Sequence, residues 1–358
     1  MSSVRHIDQF LAGFSTGDAI SNQALLMRDH LRSLGFKSSI YCEQFTEADS
    51  HQVLHFRRYH RRKNALLIYH HSFYTEILKT LSDYPAEKVL VFHNVTPPRF
   101  VEPYNSRLAE SLARARDVLT DLKSHFTTAL CPSAFNAKTL QRLGYGDVRI
   151  MPYPIEPRSL EAAATPSNLA YLRDGALNIL FVGRIFPNKR HQDLLKTFHY
   201  FRRLEENSRL LLVGPQHPGV RGYTAELNNL STELGVSDRV VFTNMVAPED
   251  IASFYRHSHV FLSMSEHEGF FVPLVESMHC DLPVLAYAST VIPETLGHSG
   301  IMFKEKNFER VAEIMLELAR EGPLRQAVLE GQRKRLEHFR KEASLEVFME
   351  TLRALGAA

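Results

Sequence analysis

Cysteine is scarce in this chain. Cys42, Cys131 and Cys280 are its only three in 358 residues, odd in number and far apart. Such spacing supports no disulfide framework and fits a reducing compartment. Metal-binding patterns are missing as well. There is no C-x-x-C, no H-E-x-x-H and no D-x-D, and the eighteen histidines are scattered without ligand spacing. No structural metal and no essential divalent cofactor is therefore expected. No apolar run approaches the ~18 residues of a membrane span. The opening residues M-S-S-V-R-H-I-D lack the apolar core of a signal peptide, so the expected location is cytoplasmic. A net charge of +2 gives no global reason to bind nucleic acid. Short repeats and low-complexity tracts are also absent.

What is present is ordinary globular composition, 44% hydrophobic and 23% charged, in a chain long enough for two domains. Short apolar runs alternate with amphipathic stretches, which predicts an α/β fold with parallel sheets. H-I-D-Q-F is read as a first strand, followed by the loop L-A-G-F-S-T-G-D. A helix is predicted from Asp18 to Leu34, because Ile20, Ala24, Met27, Leu31 and Leu34 share one face, and Gly35 ends it. K-S-S-I-Y-C-E, A-L-L-I-Y-H-H, K-V-L-V-F-H-N, F-T-T-A-L-C-P-S and R-I-M-P-Y-P are the remaining strands of the first half. Residues 155–177 lose the strand pattern and read as a linker. The alternation then restarts with N-I-L-F-V-G-R, R-L-L-L-V-G-P, R-V-V-F-T-N-M-V, H-V-F-L-S-M-S, P-V-L-A-Y and G-I-M-F-K. Helices lie between them, then over 307–321, 323–339 and a last stretch to Leu355. The expected division is 1–157, 158–340 and a C-terminal helix, 341–358: two doubly wound, Rossmann-like domains with a cleft between them. Ligands of such sheets bind beyond the carboxyl ends of the strands.

Two segments after strands stand out. In S-E-H-E-G-F-F-V-P-L-V-E-S-M (265–278), Glu268 and Glu276 are eight residues apart, with Gly269 and Pro273 between. Pro273 suits the first position of a helix, so Glu268 falls on a loop and Glu276 on the first helical turn. A glycine loop leading into a helix N-terminus suits a phosphate, and carboxylates beside it suit hydroxyls. Together they describe a nucleotide sugar. The plainer alternative is a buried strand–helix unit with two surface acids. In G-R-I-F-P-N-K-R (183–190), Arg184 and Lys189 follow a strand. They are either solvated surface charges or phosphate ligands able to meet the charge of a diphosphate leaving group.

These segments resemble the E-x7-E signature and the G-R-x(4)-K motif of GT-B glycosyltransferases of family 4. L-P-V-L-A-Y and I-P-E-T-L-G agree, and the resemblance covers nearly the whole chain. It implies a retaining hexosyltransferase without an essential metal, whose C-terminal helix crosses back to the first domain. It assigns Arg184 and Lys189 to the donor diphosphate, Glu276 to the ribose hydroxyls and Glu268 to the donor sugar. Gly269, Phe270, Phe271 and Leu274 join the donor site, and Val246, at the end of a strand, lies against the base or in the core. G-F-F stands here where G-F-G is commoner, so Phe271 is expected to narrow the sugar pocket. In the first half His93, in V-F-H-N-V-T-P-P, becomes the histidine that approaches the donor sugar, with Asn94 a weaker companion. Gly17 and Asp18 bring backbone N–H groups toward phosphate or acceptor. His70 and His71 either bind acceptor or form a satisfied buried pair. The implied donor is GDP-mannose, with UDP-sugars next. The implied acceptor is a saccharide or lipid-linked saccharide of a surface polymer such as lipopolysaccharide. A sugar-nucleotide epimerase or a non-catalytic scaffold on the same fold are the alternatives. Finally, H-F-R-R-Y-H-R-R-K (55–63) interleaves cations with aromatics. It is a solvated loop or a contact with anionic membrane at the inner face; nucleic acid is disfavoured.

Overall fold

A computed structural model describes residues 4–62, 64–81, 84, 86–155 and 165–357. The chain divides into two compact units, Met1–Pro98 with Ala109–Pro154 and Arg340–Ala358, and Arg99–Leu108 with Ile155–Phe339. The short segment Arg99–Leu108 therefore belongs with the second unit, whereas the sequence places it in the first domain.

The first unit is built on seven strands: β1 (His6–Gly13), β2 (Ile40–Gln44), β3 (Leu54–His55), β4 (Ala65–His71), β5 (Glu87–Phe92), β6 (Thr128–Cys131) and β7 (Val148–Ile150). All pair in parallel, in the order β3-β2-β1-β4-β5-β6-β7. Its helices are α1 (Ala19–Ser33), α2 (Ile77–Leu81), α3 (Ser106–Leu122, whose first turn lies in the second unit) and α4 (Ala134–Arg142). β4 is buried along its whole length, as a central parallel strand covered on both faces must be. The Asp18 carboxylate accepts from the Ile20 and Ser21 N–H groups and so starts α1. Gly35, at φ +88°, ends it.

The second unit carries β8 (Leu177–Val182), β9 (Ser208–Val213), β10 (Val240–Phe242), β11 (Val260–Ser263), β12 (Val284–Tyr287) and β13 (Ile301–Phe303). They pair in parallel in the order β10-β9-β8-β11-β12-β13. α5 (His191–Leu204), α6 (Arg221–Glu233), α7 (Pro248–Arg256), α8 (Val272–His279), α9 (Ile292–Leu296), α10 (Phe308–Ala319) and α11 (Pro323–Leu336) complete it. α11 is tied to the sheet through Gln332, a fully buried amide that accepts from the Val284 N–H and donates to the Leu282 carbonyl.

α12 (Lys341–Ala354) closes the chain on the first unit. Its Phe348, Met349 and Leu352 enter the core that holds Ile7, Met27, Leu31, Leu66, Ile68 and Val91. Burying one such side chain stabilises the fold by about 2–3 kcal/mol.

Two expectations need correction. The strand expected to run to Val246 stops at Phe242, because Asn244 adopts φ +58° and turns the chain. The region read as a linker lies partly outside the described residues (156–164), and residues 167–173 form 3-10 turns.

Each sheet reverses its order once: at β1/β4 in the first unit and at β8/β11 in the second. Crevices beyond the carboxyl ends of strands at such switch points are where doubly wound sheets take ligands.

Candidate functional site

In the second unit the two singled-out segments meet at that switch point. β8 and β11 are neighbours, so the loop after β8 (183–190) lies beside the loop after β11 (264–271). Asn188 joins them: its Nδ2 donates to the His267 carbonyl at 2.7 Å, and its own carbonyl accepts from the Glu266 N–H at 2.9 Å. Lys189 Nζ then donates to both oxygens of Glu268, each at 2.6 Å. Glu268 is buried and Lys189 nearly so. The Glu268 N–H is held by Thr290 Oγ1 at 3.0 Å. The lysine and the first glutamate, assigned by resemblance to diphosphate and sugar, thus neutralise one another.

Behind the pair lies Phe271. The Lys189 ammonium sits 4.9 Å from its ring centroid, and the ring packs on Phe181 and Phe261 in the core. The Phe271 ring is therefore part of the core. Its backbone is left-handed, φ +69°, which explains why glycine suits this position more easily. Thr295 Oγ1 donates to the Phe270 carbonyl at 2.9 Å and fixes the loop from α9.

α8 begins at Val272, with Pro273 within its first turn and no side-chain cap. Glu276 consequently lies on the second turn rather than the first. It is half-buried, and Tyr255 Oη donates to its Oε2 at 2.6 Å. Burial raises the Glu276 pKa and the Tyr255 hydrogen bond opposes that rise. Leu274 is wholly buried, so its side chain belongs to the core. Val246 lies on the loop after β10, half-buried.

Arg184 is exposed; its charge and, above all, burial hold His217 below its ordinary pKa. Arg190 turns instead into a closed ring of charges. It and Lys306 each contact both Asp193 and Glu266, at 2.7–3.2 Å. This ring fastens the residue before His267 to the start of α5.

In the first unit His93 follows β5, next to β4 with His70 and His71. The His70 and His93 rings stack, and their nitrogens form one chain of hydrogen bonds. Gln9 Nε2 donates to the Ala24 carbonyl, which leaves Gln9 Oε1 to accept from His70 Nε2 at 2.9 Å. His70 Nδ1 must then accept from His93 Nε2, also at 2.9 Å. His93 Nδ1 in turn accepts from the Tyr153 hydroxyl. All four side chains are buried. Burial, first of all, pushes His70 down to about 3 and His93 well below its ordinary value. Both ring nitrogens of His93 are thus engaged within the protein. His71 is likewise satisfied, through the Ala115 carbonyl at 2.7 Å. Gly17 has φ +88°, and Asp18 is spent on capping α1. Asn94, at φ +72°, donates to Asn136 Oδ1.

The family model Glycosyl transferases group 1 matches residues 171–335. This segment resembles a group 1 glycosyltransferase domain. A GDP-mannose-dependent alpha-(1-6)-phosphatidylinositol monomannoside mannosyltransferase of Mycobacterium tuberculosis is 27% identical over 214 residues, 56% of this chain and 52% of that protein. Across the curated relatives the matches span about a third to about half of the relative's length. The whole chain superposes on sucrose-phosphate synthase from Thermosynechococcus elongatus with TM-score 0.75 and 15% identity, covering 99% of this chain and all of that one. For HepE of Anabaena, crystallised with UDP and glucose, the TM-score is 0.70 at 16% identity, covering 97% and 99%. The fold is GT-B, two Rossmann-like domains.

Within the matched segment the structure brings together Arg184, Lys189, Glu268, Gly269, Phe270, Phe271 and Glu276 at one sheet end. Asn188, Tyr255, Thr290 and the Arg190–Asp193–Lys306–Glu266 ring escape sequence reading, as do Gln9 and Tyr153 in the first unit. Backbone geometry is a further marker. Asn94, Arg190, Asn244, Phe271 and Thr290 hold positive φ, and each follows the carboxyl end of a strand. Strain of this kind concentrates at functional loops.

The cationic patch is only partly a surface. Phe56 is buried, and Tyr59 packs on Phe10, Tyr41 and Tyr84. Arg62 pairs with buried Asp8 at 2.9 Å. Arg57, Arg58 and Arg61 remain exposed, and Lys63 lies outside the described residues. Among the described residues no helix is long and apolar enough to cross a membrane.

Proposed function

We propose that the protein is a retaining hexosyltransferase. It takes a hexose from a nucleoside-diphosphate sugar, GDP-mannose first and UDP-sugars second, to a saccharide or lipid-linked saccharide in surface polysaccharide synthesis. The observation that carries the proposal is the meeting of Arg184, Lys189, Glu268 and Glu276 at the β8/β11 switch point of a group 1 domain. Glu276 receives the ribose hydroxyls. Arg184 and Lys189 meet the growing charge of the diphosphate, the contribution expected to dominate catalysis. Lys189 then exchanges Glu268 for phosphate, which leaves the Glu268 carboxylate to accept from hydroxyls of the sugar.

In the reaction the acceptor hydroxyl attacks the anomeric carbon on the face from which the diphosphate departs. A phosphate oxygen of the leaving group takes the hydroxyl proton. The new glycosidic bond keeps the donor configuration. We propose no essential divalent metal; loss of all activity in EDTA, restored by manganese, would overturn that part. A GDP-mannose preference takes support from the mannosyltransferase relative, and a UDP-sugar from the HepE complex.

The decisive experiment is a thermal-shift panel of GDP, UDP and dTDP with their sugars, followed by a transfer assay with the best donor. A shift from one base family and a product retaining the donor anomeric configuration are expected. If no nucleotide shifts the transition, the reading fails; conversion of donor without acceptor would indicate an epimerase.

A further inference from the structure

The residue that holds Glu276 is itself informative. Tyr255 lies near the end of α7, before β11, and Glu276 on α8, after it. The Tyr255 ring is fully buried and stacks on Phe261 of β11, centroids 6.4 Å apart and planes 18° from parallel. A phenylalanine would fill that place equally well. A phenol there is warranted only by a partner for its hydroxyl, and the partner is Glu276 Oε2 at 2.6 Å. Because the ring is locked in the core, the direction of its O–H is locked too. One carboxylate oxygen, Oε2, is therefore held toward the core. Glu276 is half-buried, and Oε1 is the second acceptor of its carboxylate. A carboxylate so fixed suits two adjacent hydroxyls, and the ribose of a nucleotide offers that pair while a 2′-deoxyribose does not.

We propose that Tyr255 is the positioning residue of the nucleotide site, and that the Tyr255–Glu276 pair selects ribonucleoside over 2′-deoxyribonucleoside diphosphates. This rests on the reading of Glu276 as the ribose ligand. Sugar donors built on dTDP are excluded as substrates by the same pair. The phenol also tunes the carboxylate. Tyr255 from α7 and Cys280 at the end of α8 are the titratable groups that share its surroundings. Removing the phenol O–H removes the one influence that holds the Glu276 pKa down against burial.

The test measures binding of GDP, 2′-deoxy-GDP, UDP and 2′-deoxy-UDP to the full chain by calorimetry. The proteins are wild type, Tyr255→Phe and Glu276→Gln. In wild type the ribose form of the preferred base should bind about 10–100-fold tighter than its deoxy form, the range of a hydrogen bond to a charged group. Tyr255→Phe, which keeps the ring and the core, should cut that ratio about tenfold and leave deoxy binding within a few-fold. It should also move the acid loss of ribonucleotide affinity to higher pH, a change that a packing defect would not produce. Glu276→Gln should abolish the ratio. If Glu276→Gln keeps the ratio, or no nucleotide binds, the ribose reading itself is wrong and the inference falls with it. If Glu276→Gln abolishes the ratio while Tyr255→Phe keeps it, or weakens both sugars equally, Tyr255 is core filling and only the inference falls.

Discussion

At the scale of single residues, Phe271 and Lys189 show how two effects of opposite sign are weighed. Phe271 holds φ +69°, a strain of about 1–3 kcal/mol for a non-glycine residue. Glycine would relieve that strain but would also delete a buried aromatic, a loss of about 3–5 kcal/mol. Packing should win, so Phe271→Gly is expected to destabilise the protein by about 1–3 kcal/mol in urea denaturation; a gain in stability would show that the ring carries little. Lys189 presents the other case. Its removal strands a buried carboxylate, and breaking such a pair costs about 3–5 kcal/mol when fully buried, less here because Lys189 retains some exposure. Lys189→Met should therefore lose about 2–3 kcal/mol. The double variant Lys189→Met, Glu268→Leu should recover most of that stability while remaining inactive. Recovery of activity along with stability would mean that neither charge meets the donor.

Elements show where the chain leaves no room. β8 and β9 exit side by side, and the Gly183 N–H donates to the Val213 carbonyl. Gly214, at φ +144°, comes so close that an added Cβ would stand 2.4 Å from the Gly183 carbonyl oxygen. Both clash partners are backbone and cannot yield cheaply. Gly214→Ala should cost at least about 2 kcal/mol and displace the Arg184 loop, which loss of nucleotide binding alongside a lowered Tm would register; an unchanged Tm would mean that the two loops are free to separate. This scale also shows what the sequence makes legible. The strands other than the two-residue β3 and the long helices α1, α5 and α10 declare themselves by period, and the E-x7-E and G-R-x(4)-K segments by residue type. α2 and α9, five residues each, are too short to display a period. Contacts such as Lys189–Glu268, 79 residues apart, or His93–Tyr153, 60 apart, leave no trace in local spacing. Distance along the chain says nothing of them until the strand order is known. His93 illustrates that gap, since its partners His70 and Tyr153 come from two other places in the chain.

For the molecule as a whole, the buried histidines set how it meets acid. His70 and His191 are pushed down to about 3 and His71 to about 4, with burial the first cause in each, and His93 lies well below its ordinary value. A histidine whose folded pKa is depressed binds its proton more readily when unfolded. Its stabilising contribution is complete above the unfolded pKa of about 6.5 and is lost as pH falls toward the folded value. At pH 5 each such group has forfeited about 2 kcal/mol. Of these larger shifts three lie in the first unit and one, His191, in the second; His6 and His30 of the first unit and His217, His257, His259 and His279 of the second are lowered less. Asp8 in the first unit acts in the opposite sense. Burial raises it to about 6, against Arg62 and the Ser39 N–H, so the folded state takes up a proton and regains about 1 kcal/mol between pH 7 and 5. The histidines win by several kcal/mol, a large part of a typical domain stability of about 5–15 kcal/mol. Geometry reinforces the sign, because a second proton on the His70–His93 pair would set N–H against N–H. Acidification from pH 7 to 5 should therefore weaken the first unit before the second, seen as faster amide exchange in β4 and β5 while β8 and β11 remain protected. His71→Phe should narrow the difference by removing one of these groups. Equal protection of both sheets at pH 5, or earlier loss of the second, would show that these rings are less isolated from water than their burial implies.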